Sequence, residues 1–262
     1  MLVQCDASQL EWRTVVQLSQ DKTAIAEIVE GQDTHSLNQE ALHLPSRLIA
    51  KIFLFRTIFK GSGYSFANDP DFMHVSASPK FWDEMNAKFF EKYKGIDFCH
   101  KKWADLVVHG KPIISPLGRQ WSISMGVDYR GELKIPWTVL TNYPVQGTGA
   151  DVMMLVRIMA YKRIKANEKL KDVVVFVSTV HDSIVVDCPK WAVQAVVDIF
   201  HACFADLRKT IQKNFNYDWN VPMDCECKAG MNMKNAYEKI NDVMVLTNPG
   251  GMEKVKPSAW QM

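Results

Sequence analysis

The stretch that most constrains the fold is VSTVHDSIVVD, Val177 to Asp187, because it places an acid between two strand-like runs. Residues 172–180 and 184–186 are rich in β-branched side chains, and only His181, Asp182 and Ser183 interrupt them. This pattern predicts a β-hairpin over about residues 172–188 with a very short turn. Asp182 can be polar simply because a turn is exposed, or the hairpin can serve to hold its carboxylate in position. The stretch alone leaves both interpretations open.

The rest of the chain predicts an α+β fold, in which a small antiparallel sheet carries an inserted helical subdomain. Strand-like runs occur at residues 1–6, 172–188 and 221–227, and the last precedes a polar tail. Residues 61–78 are loop-like, and 110–124 indicate irregular strands and turns. Helical periodicity covers about 9–30, 35–42, 46–60, 79–94, 97–109, 144–167 and 190–214.

Composition excludes several classes of protein. The chain has 262 residues, of which 47% are hydrophobic and 23% charged, so it can bury a core. Its six scattered cysteines are typical of a reduced, intracellular protein and not of a disulfide framework. A structural zinc site at Cys225 and Cys227 is disfavoured, because no second Cys or His pair stands at a suitable spacing in the sequence. We expect no membrane segment, because no apolar run approaches about 18 residues.

Two acids each follow an apolar, strand-like run. Asp6 follows residues 1–5, and Asp182 lies in the predicted hairpin turn. Carboxylates at the ends of neighbouring strands can hold two hard cations about 3.5–4 Å apart, which suits in-line phosphoryl transfer. Taken singly, either acid is better explained as a turn residue.

The helix predicted after Pro45 carries a mixed stripe. Arg47, Lys51, Phe55 and Phe59 follow at four-residue steps, so they lie along one side of the helix. Cations at one end and aromatic rings at the other suit a nucleoside triphosphate. The alternative is an ordinary amphipathic helix whose aromatic side chains are core.

Together these residues resemble DNA polymerase family A, the polymerase I-like enzymes. DASQLEWR (Asp6–Arg13), RLIAKIFLFRTIFKG (Arg47–Gly61) and VHDS (Val180–Ser183) are similar to its motifs A, B and C in order and rough spacing. The resemblance covers about residues 2–235 and implies the polymerase palm and fingers. Further matching segments are DTH (33–35), LGR (117–119), TNYPVQGTGAD (141–151) and DCECKAGMN (224–232).

The resemblance implies a DNA-directed DNA polymerase that uses primer–template DNA, dNTPs and two Mg²⁺ ions. Asp6 and Asp182 are then the catalytic metal ligands, with one ion activating the primer 3′-hydroxyl and the other holding the triphosphate. His35, Arg47 and Lys51 contact the phosphates, Phe55 the sugar and Phe59 a base. The implied nucleotide-binding residues are Gln9, Glu11, His35, Arg47, Lys51, Phe55 and Phe59, and the DNA-binding residues are Arg119, Asn142, Gln146 and His181.

Two sequence features disagree on whether the nucleotide sugar is deoxyribose or ribose. Glu11 stands where family A DNA polymerases block a ribose 2′-hydroxyl, whereas His-Asp-Ser at 181–183 is common in the related single-subunit RNA polymerases. We favour DNA because Glu11 bears on sugar choice by contact, and because Phe59 lacks the tyrosine hydroxyl of the RNA enzymes. An RNA polymerase relative, or a catalytically weak nucleic-acid-binding subunit, are the alternatives. Departures from the family include Ser183 in place of Glu, and Arg56 and Lys60 in place of glycines.

The resemblance also predicts an organisation. Residues 1–16 and 119–240 form the palm, 17–118 the fingers and 241–262 a tail, with the thumb and exonuclease absent from this chain. Because motif A begins at the first residues, we expect an exposed edge beside residues 1–6. We therefore expect one half of a split polymerase, completed by a separate N-terminal chain. The alternative is a truncated piece of a longer polymerase. The short 36–46 segment and Ser183 look phage-like, which implies a cytoplasmic protein of the host cell.

Overall fold

The computed structural model describes residues 1–240 and 243–258 and shows the predicted α+β fold. The predicted tail, 241–262, therefore lies partly outside the described residues. The helices are α1 Leu10–Ser19, α2 Lys22–Val29, α3 Thr34–Ala41, α4 Arg47–Ile58, α5 Gly63–Ala67, α6 Pro70–Met73, α7 Pro79–Lys92, α8 Lys94–Val108, α9 Trp137–Ala166, α10 Val193–Ala205 (after a 3-10 turn, Lys190–Ala192) and α11 Leu207–Phe215. The strands are β1 Leu2–Ala7, β2 Ile113–Ile114, β3 Gln120–Trp121, β4 Gly126–Val127, β5 Leu133–Lys134, β6 Val175–Val180, β7 Ser183–Asp187, β8 Cys225–Gly230, β9 Tyr237–Ile240, β10 Val243–Leu246 and β11 Glu253–Val255.

The chain divides into two compact units. The sheet unit comprises Met1–Leu10, Gly149–Asp218 and Met223–Met262, and the helical unit comprises Glu11–Thr148 and Trp219–Pro222. These boundaries differ from those of the predicted subdomains, since residues 11–16 and 119–148 belong to the helical unit. The chain passes from one unit to the other within α1 and again within α9.

An antiparallel sheet in the order β11-β8-β1-β7-β6 organises the sheet unit. β1 lies in its middle, where Val3, Cys5 and Ala7 alternate as buried residues along one face. The expectation of an exposed edge beside residues 1–6 is therefore wrong, because β7 and β8 pair with β1 on its two sides. The edge strands of the described sheet are instead β11 and β6, and β6 is the first strand of the predicted hairpin.

The predicted hairpin is confirmed as β6 and β7, joined through His181 and Asp182. His181 adopts a left-handed backbone with φ of 52°, which the tight turn requires. The last strand was placed too early, at 221–227, since β8 begins at Cys225. The segment beyond 240 is also not only a polar tail, because β11 returns to pair with β8. This long-range pairing has no signature in the local sequence.

Aromatic side chains form the core of the helical unit. Phe53, Phe66, Phe72 and Trp82 are fully buried, and their ring centroids lie 5.0–5.9 Å apart in the recorded pairs. Residues 61–78, predicted as a loop, contribute to this core through the short helices α5 and α6. Local sequence misses these helices because each is held by burial of one large side chain, and propensity contributes little to so short a segment.

Two helices that were predicted as continuous are broken in the structure. The helix predicted over 9–30 breaks at Gln20, whose φ is 52°, and Asp21 then caps α2 by accepting a hydrogen bond from the Ala24 N–H at 2.9 Å. The single helix predicted over 190–214 is likewise broken into the 3-10 turn, α10 and α11.

α9 begins seven residues before Pro144, so this proline lies inside the helix and not at its start. Proline removes one helical hydrogen bond, but the buried neighbours Leu140 and Val145 stabilise the continued helix by packing. Among the described residues, no helix is both long and apolar enough to cross a membrane.

Candidate active site

The sheet unit brings Asp6 and Asp182 together. Asp6 lies near the end of β1 directly opposite Ser183 of β7, and the Ala7 N–H donates to the carbonyl oxygen of Asp182 at 2.9 Å. The hairpin turn is thus fastened to β1 by its backbone. Both acids are half-buried, whereas His181 between the strands is exposed and Gln9 lies half-buried in the turn after β1.

The two carboxyl groups interact directly. Burial, followed by charge repulsion from the neighbouring Asp182 and a hydrogen bond with it, raises the pKa of Asp6 to about 6. A divalent cation would relieve this repulsion, so the pair fits the oxygen-ligand set that Mg²⁺ prefers. The structure therefore favours a metal-binding interpretation of these acids over two unrelated turn residues.

A third acid on this face was missed by sequence reasoning. Glu226 of β8 pairs with Asp6 on the side opposite Ser183, and its negative charge also raises the pKa of Asp6. Glu226 forms ion pairs with Lys254 and, at 3.8 Å, with Lys228. Period-2 alternation along DCECKAG would have placed Glu226 and Lys228 on the same face, had the strand been assigned correctly.

Ser183 has a structural role in the turn. It is buried, and its hydroxyl donates to the carbonyl oxygen of Val180 at 3.0 Å. This hydrogen bond closes the hairpin turn. Ser183 thus helps to position Asp182 while adding no charge.

The stripe on α4 lies partly in a pocket of the helical unit. Ser46 caps this helix by accepting a hydrogen bond from the Ile49 N–H at 3.2 Å. Buried Phe53, Leu54 and Ile58 form a separate core face, so Phe55 and Phe59 remain half-buried. A pocket of about 650 Å³ is lined by Leu48, Lys51, Ile52, Phe55, Arg56, Phe59, Gly61, Ser65, Thr138 and Asn142.

The lining of this pocket combines recognition chemistries for a nucleotide. Lys51 supplies a cation, Phe55 and Phe59 supply aromatic faces, and Asn142 supplies an amide. Its volume lies in the range of small-molecule sites, 300–1,000 Å³ as a rough guide. Three residues of the predicted stripe are therefore gathered around one pocket with Asn142, which was predicted separately.

Arg47 and His35 lie together at the N-terminal part of the stripe. The Arg47 guanidinium donates to both Asp33 oxygens, at 2.5 and 3.1 Å, and this bond holds the pKa of Asp33 well below its usual range. His35 is only 2% exposed, and its ring centroid lies 6.1 Å from that of Phe55. Burial, and then the nearby Arg47 charge, lower the pKa of His35 to about 4, so the imidazole is neutral at pH 7.

The remaining predicted residues occupy two further places in the helical unit. Gln146 of α9 donates to the Glu11 carboxylate at 3.0 Å. Arg119 closes a tight turn in which its backbone N–H donates to the Ser115 hydroxyl at 3.0 Å. The structure thus pairs Glu11 with Gln146, while Arg119 stands in a separate loop.

Arg56 on α4 and Lys60 just after it, the two departures from the family pattern, each form an ion pair. Lys60 follows the helix with φ of 59°, a conformation that explains why glycine is common there. Its ammonium group lies 3.0 Å from Asp97 and 3.8 Å from the centre of the Phe90 ring. Arg56 pairs in the same way with Asp69, so ion pairs hold both side chains within the helical unit.

Comparison with known proteins identifies the family. The model of DNA polymerase family A matches residues 1–235. The chain belongs to DNA polymerase family A. DNA polymerase I of Aquifex aeolicus is 26% identical over 240 residues, covering 84% of this chain and 37% of the relative. The thermostable DNA polymerase I of Thermus aquaticus is 23% identical over 247 residues, covering 91% of this chain and 27% of the relative.

A solved structure shares the fold of this family A chain. The POL domain of Pol1 from M. smegmatis, in complex with DNA primer-template and dNTP, matches with a TM-score of 0.71 and 18% identity, covering 86% of this chain and 38% of that one. DNA polymerase theta of Caenorhabditis elegans is 23% identical over 88% of this chain and 13% of its own length. The chain thus spans little more than a third, or less, of the relatives it matches.

Proposed function

We propose that this chain is the palm and fingers portion of a template-directed DNA polymerase that adds dNTPs to a primer 3′-hydroxyl. The observation that carries the proposal is the Asp6–Asp182 carboxyl pair, held by β1 and the hairpin of a family A chain. A relative of the same fold binds DNA primer-template and dNTP, which supports the same ligands here. The palm and fingers assignments of residues 1–16, 17–118 and 119–240 belong to this proposal.

Asp6 and Asp182 would hold two Mg²⁺ ions. When bound, such ions activate the primer hydroxyl and stabilise charge on the leaving pyrophosphate. The two carboxylates supply the oxygen ligands and keep them next to each other, because β1 and the β7 turn are hydrogen-bonded. His181 and Gln9 flank these acids and are assigned to the primer and the nucleotide.

The helical unit would bind the incoming nucleotide and test the base pair. Lys51 and Arg47 bind the phosphates, and Arg47 would exchange its Asp33 partner for them. Phe55 lies against the sugar and Phe59 against a base, while Asn142, Gln146 and Arg119 contact DNA. Fixed cations of this kind stabilise charge that develops on the leaving group, so they act more on turnover than on binding.

The sugar preference separates this proposal from an RNA polymerase. Only the His-Asp-Ser sequence at 181–183 favours the RNA enzyme, and Ser183 has a separate structural role in closing the turn. Primer extension with dNTPs against rNTPs, on the same template, is the test. Faster extension with rNTPs would overturn the DNA polymerase assignment. Template-independent addition would overturn both the DNA polymerase and the RNA polymerase assignments.

A partner chain completes the proposed enzyme. β6 is one of the two edge strands of the described sheet, and its Val175, Val177 and Val180 are 59%, 54% and 49% exposed. Such an apolar edge is a ready site for another strand. We therefore propose that a separate N-terminal polymerase chain pairs there. Processive primer extension by this chain eluting as a monomer in size-exclusion chromatography would contradict the proposal.

A further inference from the structure

Three buried cysteines meet on one face of the sheet unit, away from the acids. Cys5 of β1 lies directly opposite Cys227 of β8, and Cys225 stands two residues earlier on the same face of β8. The three are 0%, 1% and 5% exposed, and their Sγ atoms all lie within 4.8 Å of one another. Half of the six cysteines in the chain are therefore gathered at one point.

A histidine approaches this cluster from the helix that covers the face. α10 packs against β1 and β8, and Nδ1 of His201 lies 3.6 Å from Sγ of Cys225. His201 is mostly buried, with 16% of its side chain exposed, and its Nε2 has no hydrogen-bond partner among the described residues. The ligand atoms of His201, Cys225 and Asp224 form a second group within 4.8 Å of one another, and Nδ1 of His201 lies 3.7 Å from the Asp224 carboxylate. The two groups share Cys225, so three sulfurs and a neighbouring imidazole are available to a metal ion.

We propose that Cys5, Cys225, Cys227 and His201 bind a structural Zn²⁺ ion. Three thiolates and one imidazole are a standard ligand set for structural zinc, whereas Mg²⁺ prefers oxygen ligands. Tetrahedral zinc with Zn–S bonds of about 2.3 Å separates its sulfurs by about 3.8 Å. The thiols would therefore need to approach one another by no more than about 1 Å.

Such a site would fasten β1 to β8 beside the acids. Each ligating thiol releases its proton on binding, so three thiolates, a neutral imidazole and Zn²⁺ leave a net charge of −1. Cys5 immediately precedes Asp6, and Cys225 and Cys227 flank Glu226. The metal is thus a positioning device for the strands that carry these carboxylates. The inference does not depend on polymerase activity.

Zinc content of the purified full chain tests the proposal. The chain is prepared under reducing conditions with excess Mg²⁺ to occupy the carboxylates, and its zinc is measured by mass spectrometry. We expect about one zinc ion per chain. Cys227→Ser and His201→Asn should weaken zinc binding by about tenfold or more, since even outer-shell losses have that effect. Cys99→Ala, which removes a buried cysteine of the helical unit, is the matched control and should retain the zinc.

Cobalt substitution makes the test independent of the variants. Co²⁺ added to the unmodified, zinc-free chain should give the intense near-ultraviolet absorption of sulfur-to-cobalt charge transfer, and Zn²⁺ should abolish it. A folded chain that shows neither this band nor bound zinc would overturn the proposal. Zinc that remains bound in Cys227→Ser with unchanged affinity would also overturn it, because the ion would then lie elsewhere.

Discussion

Glu11 and Gln146 show what can be predicted for single residues. The family motifs identify both side chains, but only the structure shows that Gln146 donates to the Glu11 carboxylate. The same holds for Asp6 and Asp182, which are far apart in the sequence and share a hydrogen bond in the fold. Residue identity follows from motif and spacing, whereas mutual contact depends on strand pairing over long distances.

Replacing Glu11 tests the proposed sugar selection. Glu11→Ala should raise ribonucleotide incorporation relative to deoxyribonucleotide incorporation by about tenfold or more, because the side chain no longer blocks the 2′-hydroxyl. Single-nucleotide kcat/KM values for matched rNTP and dNTP measure the ratio. Glu40→Ala, at an exposed position, is the control. An unchanged ratio in Glu11→Ala would show that this residue does not select the sugar.

The pKa of Asp6 predicts a pH dependence of metal binding. Because its carboxyl group has a pKa of about 6, it is mostly protonated at pH 5 and ionised at pH 8. Metal requires the ionised form, so Mn²⁺ affinity should be about tenfold weaker at pH 5 than at pH 8. Electron paramagnetic resonance of free Mn²⁺ gives the affinity.

Asp182→Asn provides the comparison for this pH dependence. Without its charged neighbour, the pKa of Asp6 should fall, so the loss of affinity should move to lower pH and the affinity should weaken throughout. Equal Mn²⁺ affinity of the parent chain at pH 5 and pH 8 would contradict the assigned ligand.

At the scale of elements, α4 was predicted well and α9 was not. The start of α4 is marked by Ser46 and Pro45. Arg47, Lys51 and Phe55 of the predicted stripe lie on the helix, and Phe59 is its C-cap. α9 contains Pro144, which local rules place at a helix start, yet tertiary packing of Leu140 and Val145 continues the helix through it. Local caps predict boundaries only where packing does not override them.

Lys51 on α4 tests the pocket. Among the described residues it makes no ion pair, so its ammonium group is available for phosphate. Lys51→Ala should lower kcat for dNTP addition by about a hundredfold with a smaller change in dNTP dissociation constant, because the cation stabilises the leaving group. Rapid-quench kinetics separate the two parameters. Lys88→Ala on α7 is the exposed control, and an effect confined to nucleotide binding would contradict the assignment.

Gly147 on α9 tests the packing that positions Gln146. A β-carbon at this position would lie 2.5 Å from Cζ2 of Trp121, so the indole must move. Gly147→Ala should lower the free energy of unfolding by about 1–3 kcal/mol, as overpacking does. Gly126→Ala, whose β-carbon would meet ordinary contacts of 3.6–3.8 Å, is the control. Urea denaturation measures the free energy of unfolding of both variants. Equal stability of the two variants would contradict the close packing at Gly147.

At the scale of the whole molecule, sequence predicts the fold class and the hairpin but not the sheet order. β1 is central because β8 and β7 return to it from distant positions, and β11 extends the sheet from a segment that looks like a tail. The cluster of Cys5, Cys225, Cys227 and His201 was invisible for the same reason, since no spacing rule connects these residues. Local sequence patterns therefore do not predict the long-range strand pairing.

The central claim is that Asp6 and Asp182 support templated nucleotide addition. Single-turnover primer extension, with the chain in excess over primer–template and with its partner chain once isolated, tests it most directly. The account predicts addition of the template-matched dNTP in the presence of Mg²⁺, and its loss in Asp182→Asn. Asp172→Asn, at an exposed position just before the hairpin strand, should retain the parental rate. Extension by Asp182→Asn at the parental rate would contradict the account.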